Sequence, residues 1–185
     1  MKRNSAEVVS FDNEPLILVD EKNNVLGHGD KATCHQGPGQ LHRAFSVFVF
    51  NRRNELLLQK RSSQKLLWPL YWSNSCCSHP RRNEGDLESA QRRLREELGL
   101  TLRPEFLYRF HYQASFGDVG SEHELCSVYM ARSDMPVQVN DNEIADWRYV
   151  AAETLDRELV GNPEQFTPWL KLEWPRLRTE FWSRL

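Results

Sequence analysis

A single amphipathic helix near the middle of the chain restricts the possible folds more than any other feature. Four apolar residues recur there at intervals of three, four and four: Leu87, Ala90, Leu94 and Leu98. Side chains at these intervals share one face of an α-helix, so the pattern predicts a helix that packs by one side. Asp86 is a suitable N-cap, and Gly99 stands where a C′ glycine is common.

Segments typical of β-strands surround this helix: residues 16–19, 25–26, 45–50, 55–60, 106–115 and 124–132. Residues 51–54 indicate a hairpin turn, and residues 29–41 and 62–85 are expected to be irregular. Further helices are predicted at 151–159 and from Thr167-Pro168 to the C-terminus, where Pro175 should kink or break the helix. This order favours a mixed sheet with helices packed on it, an α+β fold.

Length, charge and composition describe one globular domain. The 185 residues suit a single domain over 1–185, with 1–14 as a loose polar lead-in. With 24 basic and 26 acidic residues the net charge is −2, which argues against nucleic acid or an anionic membrane as a partner. No apolar stretch approaches the roughly 20 residues that cross a bilayer, and no signal-peptide core is present. We therefore expect a cytoplasmic protein with reduced cysteines.

The central helix carries charges that admit two interpretations. Arg92 and Glu96 are four residues apart, as are Arg93 and Glu97, so each pair shares a face. Charge runs of this kind usually form ion pairs on a solvated face. The alternative is a Mg²⁺ site for a phosphorylated ligand, because carboxylates suit Mg²⁺ and arginines suit phosphate oxygens.

Histidines and glutamates elsewhere indicate a second metal site. His35, His42 and His79 fall in or beside expected loops, where a lone histidine is usually only a surface residue. Glu122 and Glu124 point to the same side of a predicted strand, and two such charges repel unless a cation or proton lies between them. Three imidazoles and two carboxylates would suit Zn²⁺ or Mn²⁺.

Other candidates are ambiguous when taken singly. Cys77, beside His79, is either a reactive thiol or a small buried apolar residue. Three tryptophans near turns or a helix start either line a pocket or pack in the core: Trp68, Trp72 and Trp169. Lys31, Arg61 and Lys65 each suggest no more than solubility when considered alone.

Taken together, these residues resemble the type 1 isopentenyl-diphosphate isomerases, a family of the Nudix superfamily. The similarity extends from about Leu16 to the C-terminal helix. Its markers are His35 with His42-Arg43-Ala44-Phe45-Ser46, the string Trp72-Ser73-Asn74-Ser75-Cys76-Cys77-Ser78-His79-Pro80, residues 92–99, Tyr112, Glu122-His123-Glu124-Leu125-Cys126, and Phe166-Thr167-Pro168-Trp169. The resemblance implies an α/β/α sandwich around a mixed β-sheet.

The Nudix box itself is degenerate. Its pattern is Gly, five residues, Glu, seven residues, then Arg-Glu, whereas this chain has Ser78, Glu84, Arg92 and Arg93 at those positions. One metal-binding carboxylate is therefore missing. Its loss disfavours a diphosphate hydrolase and fits an isomerase, in which the diphosphate must survive.

The resemblance implies interconversion of isopentenyl and dimethylallyl diphosphate by a 1,3-allylic proton shift through a tertiary carbocation. By analogy, Cys77 and Glu124 act on opposite faces of the substrate. Glu124, assisted by Tyr112, is assigned to protonation and Cys77 to the other face, although the direction stays open. Trp169 would present its ring to the cation.

The same resemblance implies the ligand sets. His35, His42, His79, Glu122 and Glu124 would bind one divalent metal, Mn²⁺ or Zn²⁺. Glu97 would hold a Mg²⁺ that bridges to the diphosphate. The phosphate oxygens would be bound by Lys31, Arg61, Lys65 and Arg93. The expected assembly is a monomer or weak homodimer. A Nudix-type diphosphate hydrolase and a non-catalytic metal- or nucleotide-binding module are the alternatives.

Overall fold

The computed structural model describes residues 6–185. Its strands are β1 (Pro15–Val19), β2 (Val25–Asp30), β3 (His42–Phe50), β4 (Leu56–Arg61), β5 (Trp72–Ser73), β6 (Cys76–Ser78), β7 (Glu105–Phe116), β8 (Gly120–Arg132) and β9 (Ile144–Val150). Its α-helices are α1 (Lys31–Cys34), α2 (Asp86–Leu98), α3 (Ala152–Gly161) and α4 (Pro168–Arg176). A wide π-helical segment, Leu177–Phe181, and a short 3₁₀ turn, Trp182–Arg184, follow α4.

Strand β3 organises the sheet. It pairs in parallel with β8 over its whole length, from His42 opposite Glu124 to Phe50 opposite Arg132. Its other partners, β1, β4 and β6, are antiparallel to it. Strand β7 adds outside β8, while β5 and β9 pair with β4. The mixed sheet and the packed helices confirm the predicted α+β class.

Alternate side chains of β3 enter two separate cores, because successive residues of a strand point to opposite faces. Phe45, Val47 and Val49 pack with the apolar face of α2. Ala44, Phe48 and Phe50 pack with the C-terminal helical region. The sheet is thus covered on both faces, as in the expected α/β/α sandwich. Two of the even-numbered residues of β3, His42 and Ser46, are polar and are almost fully buried.

The helix boundaries follow the sequence pattern closely. Gly99 adopts φ = 67°, its N–H donates to the carbonyl of Arg95, and the N–H of Leu100 donates to that of Leu94, as expected of a C-terminal glycine. The N-cap is Gly85 rather than Asp86, which is the first helical residue. The reason is that the Asp86 carboxylate bonds instead to Ser127 at 2.7 Å and to Arg109 at 2.9 Å, tying α2 to β7 and β8.

Two expectations for irregular segments need correction, whereas the expected break in the last helix near Pro175 is present. The loop predicted at 29–41 contains the end of β2 and the short helix α1. The segment predicted to be irregular at 62–85 contains β5 and β6. Pro175 lies inside α4, which ends one residue later, where the wider π-helical turn begins. Proline removes one helical hydrogen bond, so a change of helical type beside it is a reasonable outcome.

The lead-in before β1 has no helix or strand between residues 6 and 14, but it is anchored rather than loose. Val9 is buried, and its carbonyl accepts hydrogen bonds from Arg93 at 2.9 Å and from Arg81 at 3.2 Å. The carbonyl of Glu7 accepts one from Asn140 at 2.8 Å. Residues 1–5 lie outside the described residues. Within residues 6–185, no helix is long and apolar enough to cross a membrane.

Candidate active site

A cavity of about 410 Å³ opens on the sheet face that the C-terminal helices cover. Its lining combines catalytic candidates, including Cys77, Tyr112, Glu124 and Trp169, with the basic residues that the sequence singled out. Residues of the anchored lead-in, Val8, Ser10 and Asp12, complete one part of the wall. The cavity is thus polar and aromatic at once, as suits a ligand with an ionic group and an apolar chain.

The sheet register explains how two distant candidates reach this cavity. Cys77 of β6 lies opposite Ser46 of β3, and Glu124 of β8 lies opposite His42 of the same strand. His42 and Ser46 are four residues apart, so they point to the same face. Because β6 and β8 flank β3 on its two sides, the thiol and the carboxyl approach the cavity from opposite sides of that strand.

Three histidines and Glu122 converge at one edge of the cavity. The potential ligand atoms of His35, His42, His79 and Glu122 all lie within 4.8 Å of one another, and all four residues are buried. Glu124 lies beside them, with Oε1 3.1 Å from Nε2 of His79 and 3.9 Å from Nε2 of His42. The structure therefore brings together all five residues that the resemblance assigns to the metal.

Several of these atoms have no hydrogen bond although they are buried: Nε2 of His35, Nε2 of His42 and Oε2 of Glu122. Nε2 of His35 and Oε2 of Glu122 are 2.8 Å apart, but their geometry is not that of a hydrogen bond. Nδ1 of His42 lies 2.7 Å from the carbonyl of Gln40 and so donates to it, which leaves Nε2 as a free lone pair. Buried, unpartnered lone pairs that face one another fit a divalent cation.

The pKa shifts favour the same ligand forms. Burial lowers the pKa of His42 to about 4 and that of His79 well below its usual value, so both imidazoles are neutral. Burial alone would raise the pKa of Glu122, but the adjacent imidazole of His35, 2.8 Å away, outweighs it and holds the pKa low. Neutral imidazoles and an ionised carboxylate are the forms that bind a metal.

Metal binding can be tested without any substrate. The metal-stripped protein should bind Mn²⁺ or Zn²⁺ and gain thermal stability, because a ligand that binds only the folded state stabilises it. His42→Ala should weaken binding by at least about a hundredfold, since it removes a ligand from the centre of the set. His28→Ala is the matched control, because His28 lies on β2 outside the cavity. Equal affinities of the two variants, measured by calorimetry, would refute this site.

Glu124 also contacts Tyr112 directly. The hydroxyl of Tyr112 donates to Oε2 of Glu124 at 2.7 Å, on neighbouring positions of β7 and β8. Burial, followed by the charge of Glu122, raises the pKa of Glu124 well above its usual value, although the Tyr112 hydrogen bond opposes this. Burial likewise raises the pKa of Tyr112. Before any metal binds, the carboxyl group is therefore held as an acid with a proton to give.

The thiol of Cys77 is surrounded by polar groups. It donates to Oδ1 of Asn74 at 2.6 Å, and its sulfur lies 3.6 Å from Oγ of Ser73 and 3.8 Å from Oγ of Ser46. Burial, followed by the nearby charge of Glu173, raises the pKa of Cys77 to about 12. The side chain faces the cavity and is therefore not an inert core residue, whereas Cys76 points into the core beneath α2.

The ring of Trp169 forms part of the apolar wall. Its indole N–H donates to Oγ of Ser73 at 2.9 Å, which fixes the plane of the ring. Trp68 packs edge-on against it, with ring centroids 5.4 Å apart. The Arg61 guanidinium lies 5.2 Å from the Trp169 ring centroid, so this ring already interacts with one cation. Trp72 does not line the cavity; Arg148 stacks on its ring at 4.8 Å.

All four basic residues assigned to the phosphate oxygens line the cavity: Lys31, Arg61, Lys65 and Arg93. Lys65 forms an ion pair with Glu143, and Arg93 lies 2.9 Å from the same carboxylate. Arg61 donates to the carbonyls of Leu67 and Trp68 at 2.9 and 3.0 Å. Four cations around one cavity suit a polyanionic ligand such as a diphosphate.

Glu97 stands apart from the histidine cluster. It belongs to α2, it is almost fully buried, and its carboxylate accepts from Arg93 at 2.8 Å. It is not among the residues that line the cavity. A Mg²⁺ at Glu97 therefore stays a prediction. Arg92, on the same helix, forms partly buried ion pairs with Glu84 and Glu96.

Sequence reasoning missed three polar residues of the site region. Glu143 follows a turn without periodicity, so nothing marked it as the partner of Lys65 and Arg93. Ser46 and Asn74 lie within the quoted motifs, but their contacts with Cys77 depend on the pairing of β3 and β6.

Comparison with known proteins agrees with this fold. A family model described as the NUDIX domain matches residues 40–170, and this chain is a Nudix-domain protein. Solved structures agree at the level of the fold. One from Deinococcus radiodurans has a TM-score of 0.74 at 24% identity, covering 88% of this chain and 98% of its own. A MutT protein from Methanosarcina mazei has a TM-score of 0.63 at 17% identity, covering 76% and 94%.

Closer sequence relatives narrow the class. The isopentenyl-diphosphate Delta-isomerase 1 of Photorhabdus laumondii is 41% identical over 93% of this chain and 99% of its own. The isopentenyl-diphosphate Delta-isomerase of Pectobacterium atrosepticum is 38% identical over 91% and 93%. That of Mesocricetus auratus is 37% identical over 93% and 86%. The chain belongs to the isopentenyl-diphosphate delta-isomerase family.

Proposed function

We propose that this chain interconverts isopentenyl diphosphate and dimethylallyl diphosphate. The observation that carries this proposal is one cavity with four cations, an aromatic wall, a buried thiol and a tyrosine-bonded carboxyl group. The reaction moves one double bond and leaves the diphosphate intact. It requires a proton to be added at one carbon and another to be removed two carbons away.

Binding of the diphosphate fixes the alkene in place. Lys31, Arg61, Lys65 and Arg93 hold the phosphate oxygens, and the arginines can do so in bidentate fashion. Glu97, which is hydrogen-bonded to the cavity residue Arg93, would hold the Mg²⁺ that accompanies the diphosphate, and this metal would lower the repulsion among the phosphate oxygens. With the charged end fixed, the branched alkene extends along the part of the cavity wall that Trp169 and Tyr112 form.

Proton transfer then uses the two sides of β3. Glu124, hydrogen-bonded to Tyr112, adds a proton to the terminal carbon, and a tertiary carbocation forms. Cys77, as the thiolate, removes a proton from the carbon next to the CH₂–O group and becomes the thiol, while Glu124 is left as the carboxylate, so one proton enters the substrate and one leaves it. The reverse reaction exchanges these roles.

The residues that would hold the second metal, Mn²⁺ or Zn²⁺, are His35, His42, His79, Glu122 and Glu124. Bound there, the metal would orient the Glu124 carboxylate and make it a stronger acid. The unpartnered lone pairs of this cluster support the assignment.

The carbocation must be shielded from water. Trp169 is only 3% exposed, and Trp68 and Tyr112 pack near it. An aromatic face stabilises a desolvated cation by about 2 kcal/mol or more, and it does so without a lone pair that could trap it.

Substitution at Trp169 should distinguish this electrostatic effect from packing. Trp169→Ala should lower kcat/KM by about 30-fold or more, which corresponds to about 2 kcal/mol. Trp169→Phe keeps an aromatic face and should lose much less. Trp174→Phe is the control, because Trp174 is buried on the same helix but does not line the cavity. Equal losses for Trp169→Phe and Trp169→Ala, in variants of unchanged fold, would argue against cation stabilisation.

Product analysis separates isomerisation from hydrolysis. The protein is incubated with Mg²⁺ and isopentenyl diphosphate, or with dimethylallyl diphosphate, and the mixture is resolved by chromatography. We expect the same final mixture of the two diphosphates whichever of them is the starting compound. Release of phosphate or pyrophosphate would instead support the Nudix-type hydrolase, and binding without turnover would indicate a non-catalytic module.

The proposed setting is the cytoplasm. All four cysteines are free thiols, as a reducing compartment requires, and the catalytic role of Cys77 depends on this state. The substrate is a small molecule, and we propose a monomer or weak homodimer.

A further inference from the structure

The buried carboxyl group of Glu173 has no part in the mechanism above. Glu173 lies on α4, one helical turn after Trp169, and is 1% exposed. Its Oε2 is buried and has no hydrogen-bond partner. None of the ion pairs found within residues 6–185 involves it. A buried carboxyl group without a cation or a full set of hydrogen bonds costs free energy, so its placement here calls for an explanation.

A chain of sulfur and oxygen atoms leads from Glu173 to the thiol in the cavity. Oε1 of Glu173 lies 3.7 Å from Sγ of Cys126, which lies 3.6 Å from Oγ of Ser46. Oγ of Ser46 lies 3.8 Å from Sγ of Cys77 and donates to it. These distances are long but remain within the range of hydrogen bonds that involve sulfur.

The direction of the hydrogens in this chain depends on Glu173. A neutral Glu173 donates to Cys126, Cys126 donates to Ser46, and Ser46 donates to Cys77. Each donor then has one acceptor, and all three hydrogens point toward the Cys77 sulfur. An ionised Glu173 can only accept, so it turns the Cys126 S–H group toward itself and takes that donor from Ser46. It also places a negative charge behind the thiol.

We propose that Glu173 is a positioning residue of the isomerisation, which in its neutral form directs the hydrogen bonds of Cys126 and Ser46 toward the sulfur of Cys77. A hydrogen bond into that sulfur stabilises the negative charge that it carries whenever its proton is on the substrate. This inference rests on the proposed function, and it names a residue that acts behind the catalytic pair.

The surroundings of Glu173 keep it neutral near pH 7. Burial raises its pKa to about 8, against the smaller opposing effect of the nearby Ser46 hydroxyl and Cys126 thiol. The groups that face it are Cys126 and Glu124 of β8, Cys77 of β6 and Tyr108 of β7, whose hydroxyl lies 3.4 Å from the Glu173 carbonyl. Burial raises the pKa of Cys77, Cys126 and Tyr108 above that of Glu173, so these three groups do not ionise in the pH range in which Glu173 does.

Four variants test the proposal: Glu173→Gln, Glu173→Leu, Ser46→Ala and the double variant that combines Ser46→Ala with Glu173→Leu. The rate of dimethylallyl diphosphate formation is measured at saturating isopentenyl diphosphate from pH 6.5 to 9.5, together with KM and thermal stability. Glutamine mimics the neutral carboxyl group and keeps an N–H donor, whereas leucine fills the same space without one. Both replacements remove a buried ionisable group, so both should fold.

The wild-type kcat should fall about tenfold between pH 7 and pH 9, as Glu173 loses its proton. Glu173→Gln should stay within about threefold of the wild type at pH 7 and lack this alkaline loss. Glu173→Leu should lower kcat about tenfold at pH 7 with little change in KM. In the Ser46→Ala background, adding Glu173→Leu should lower kcat by less than about a further twofold, because Ser46→Ala has already broken the hydrogen-bond chain to Cys77.

Each other result has a definite meaning. If Glu173→Gln keeps the alkaline loss of the wild type, that loss belongs to another group such as Glu124, and the proposal is overturned. Full activity of Glu173→Leu at pH 7, or equal losses in the leucine and glutamine variants, overturns it as well. These results leave the proposed function intact if the wild type turns over. A wild type that forms no dimethylallyl diphosphate overturns both.

Discussion

Replacing Cys77 with alanine should lower turnover by about a thousandfold or more and leave the fold unchanged. A positioned acid or base contributes about 10²- to 10⁴-fold to a rate, and an alanine methyl group can neither give nor take a proton. The cavity and the cations that bind the diphosphate do not depend on the thiol. Calorimetry should therefore find the affinity for the diphosphate within a few-fold of the wild type.

The neighbouring cysteine provides a matched control. Cys76 precedes Cys77 on the same strand but points into the core beneath α2. Cys76→Ala removes the same atoms and should keep most of the activity, with a modest loss of thermal stability from the small cavity. Near-normal turnover of Cys77→Ala would contradict the role given to its thiol. It would also favour the hydrolase, which has no need of this residue.

Glu124→Gln should be as damaging as Cys77→Ala. The amide has nearly the shape of the carboxyl group and can still accept the hydrogen bond from Tyr112, which measures 2.7 Å in the wild type. It cannot deliver a proton to an alkene, however, so the loss should again be about a thousandfold. It should appear in kcat rather than in the affinity for the diphosphate.

Two comparisons separate this effect from loss of the metal, since Glu124 is also a proposed ligand. Metal content, measured on the purified variant, shows whether the site is still filled. Tyr112→Phe removes only the hydroxyl that assists Glu124 and should cause a smaller loss than Glu124→Gln. Equal losses for both would mean that the carboxyl group acts only by holding the tyrosine.

The sequence predicted the features that depend on local periodicity. The spacing from Leu87 to Leu98 predicted α2, which spans Asp86–Leu98. The hairpin turn at 51–54 agrees with the pairing of Phe50 and Leu56. The two-residue spacing of Glu122 and Glu124 placed both on one face, where both line the cavity.

Other features depend on contacts between distant segments and carry no local signal. The parallel pairing of β3 with β8 brings His42 beside Glu124 across about eighty residues of sequence. The anchoring of Val9 by Arg93 joins the lead-in to α2 in the same way. Glu173 has a weak local signal, because it lies four residues after Trp169 and therefore on the same face of α4.

The most direct test of the whole account is the isotope content of the product formed in D₂O. With isopentenyl diphosphate and Mg²⁺, the wild type should yield dimethylallyl diphosphate that carries deuterium in a methyl group, with the diphosphate intact. Mass spectrometry and NMR detect both features in one sample. Dimethylallyl diphosphate without deuterium, or free phosphate in place of an isomer, would contradict a proton shift carried out by Glu124 and Cys77 in this cavity.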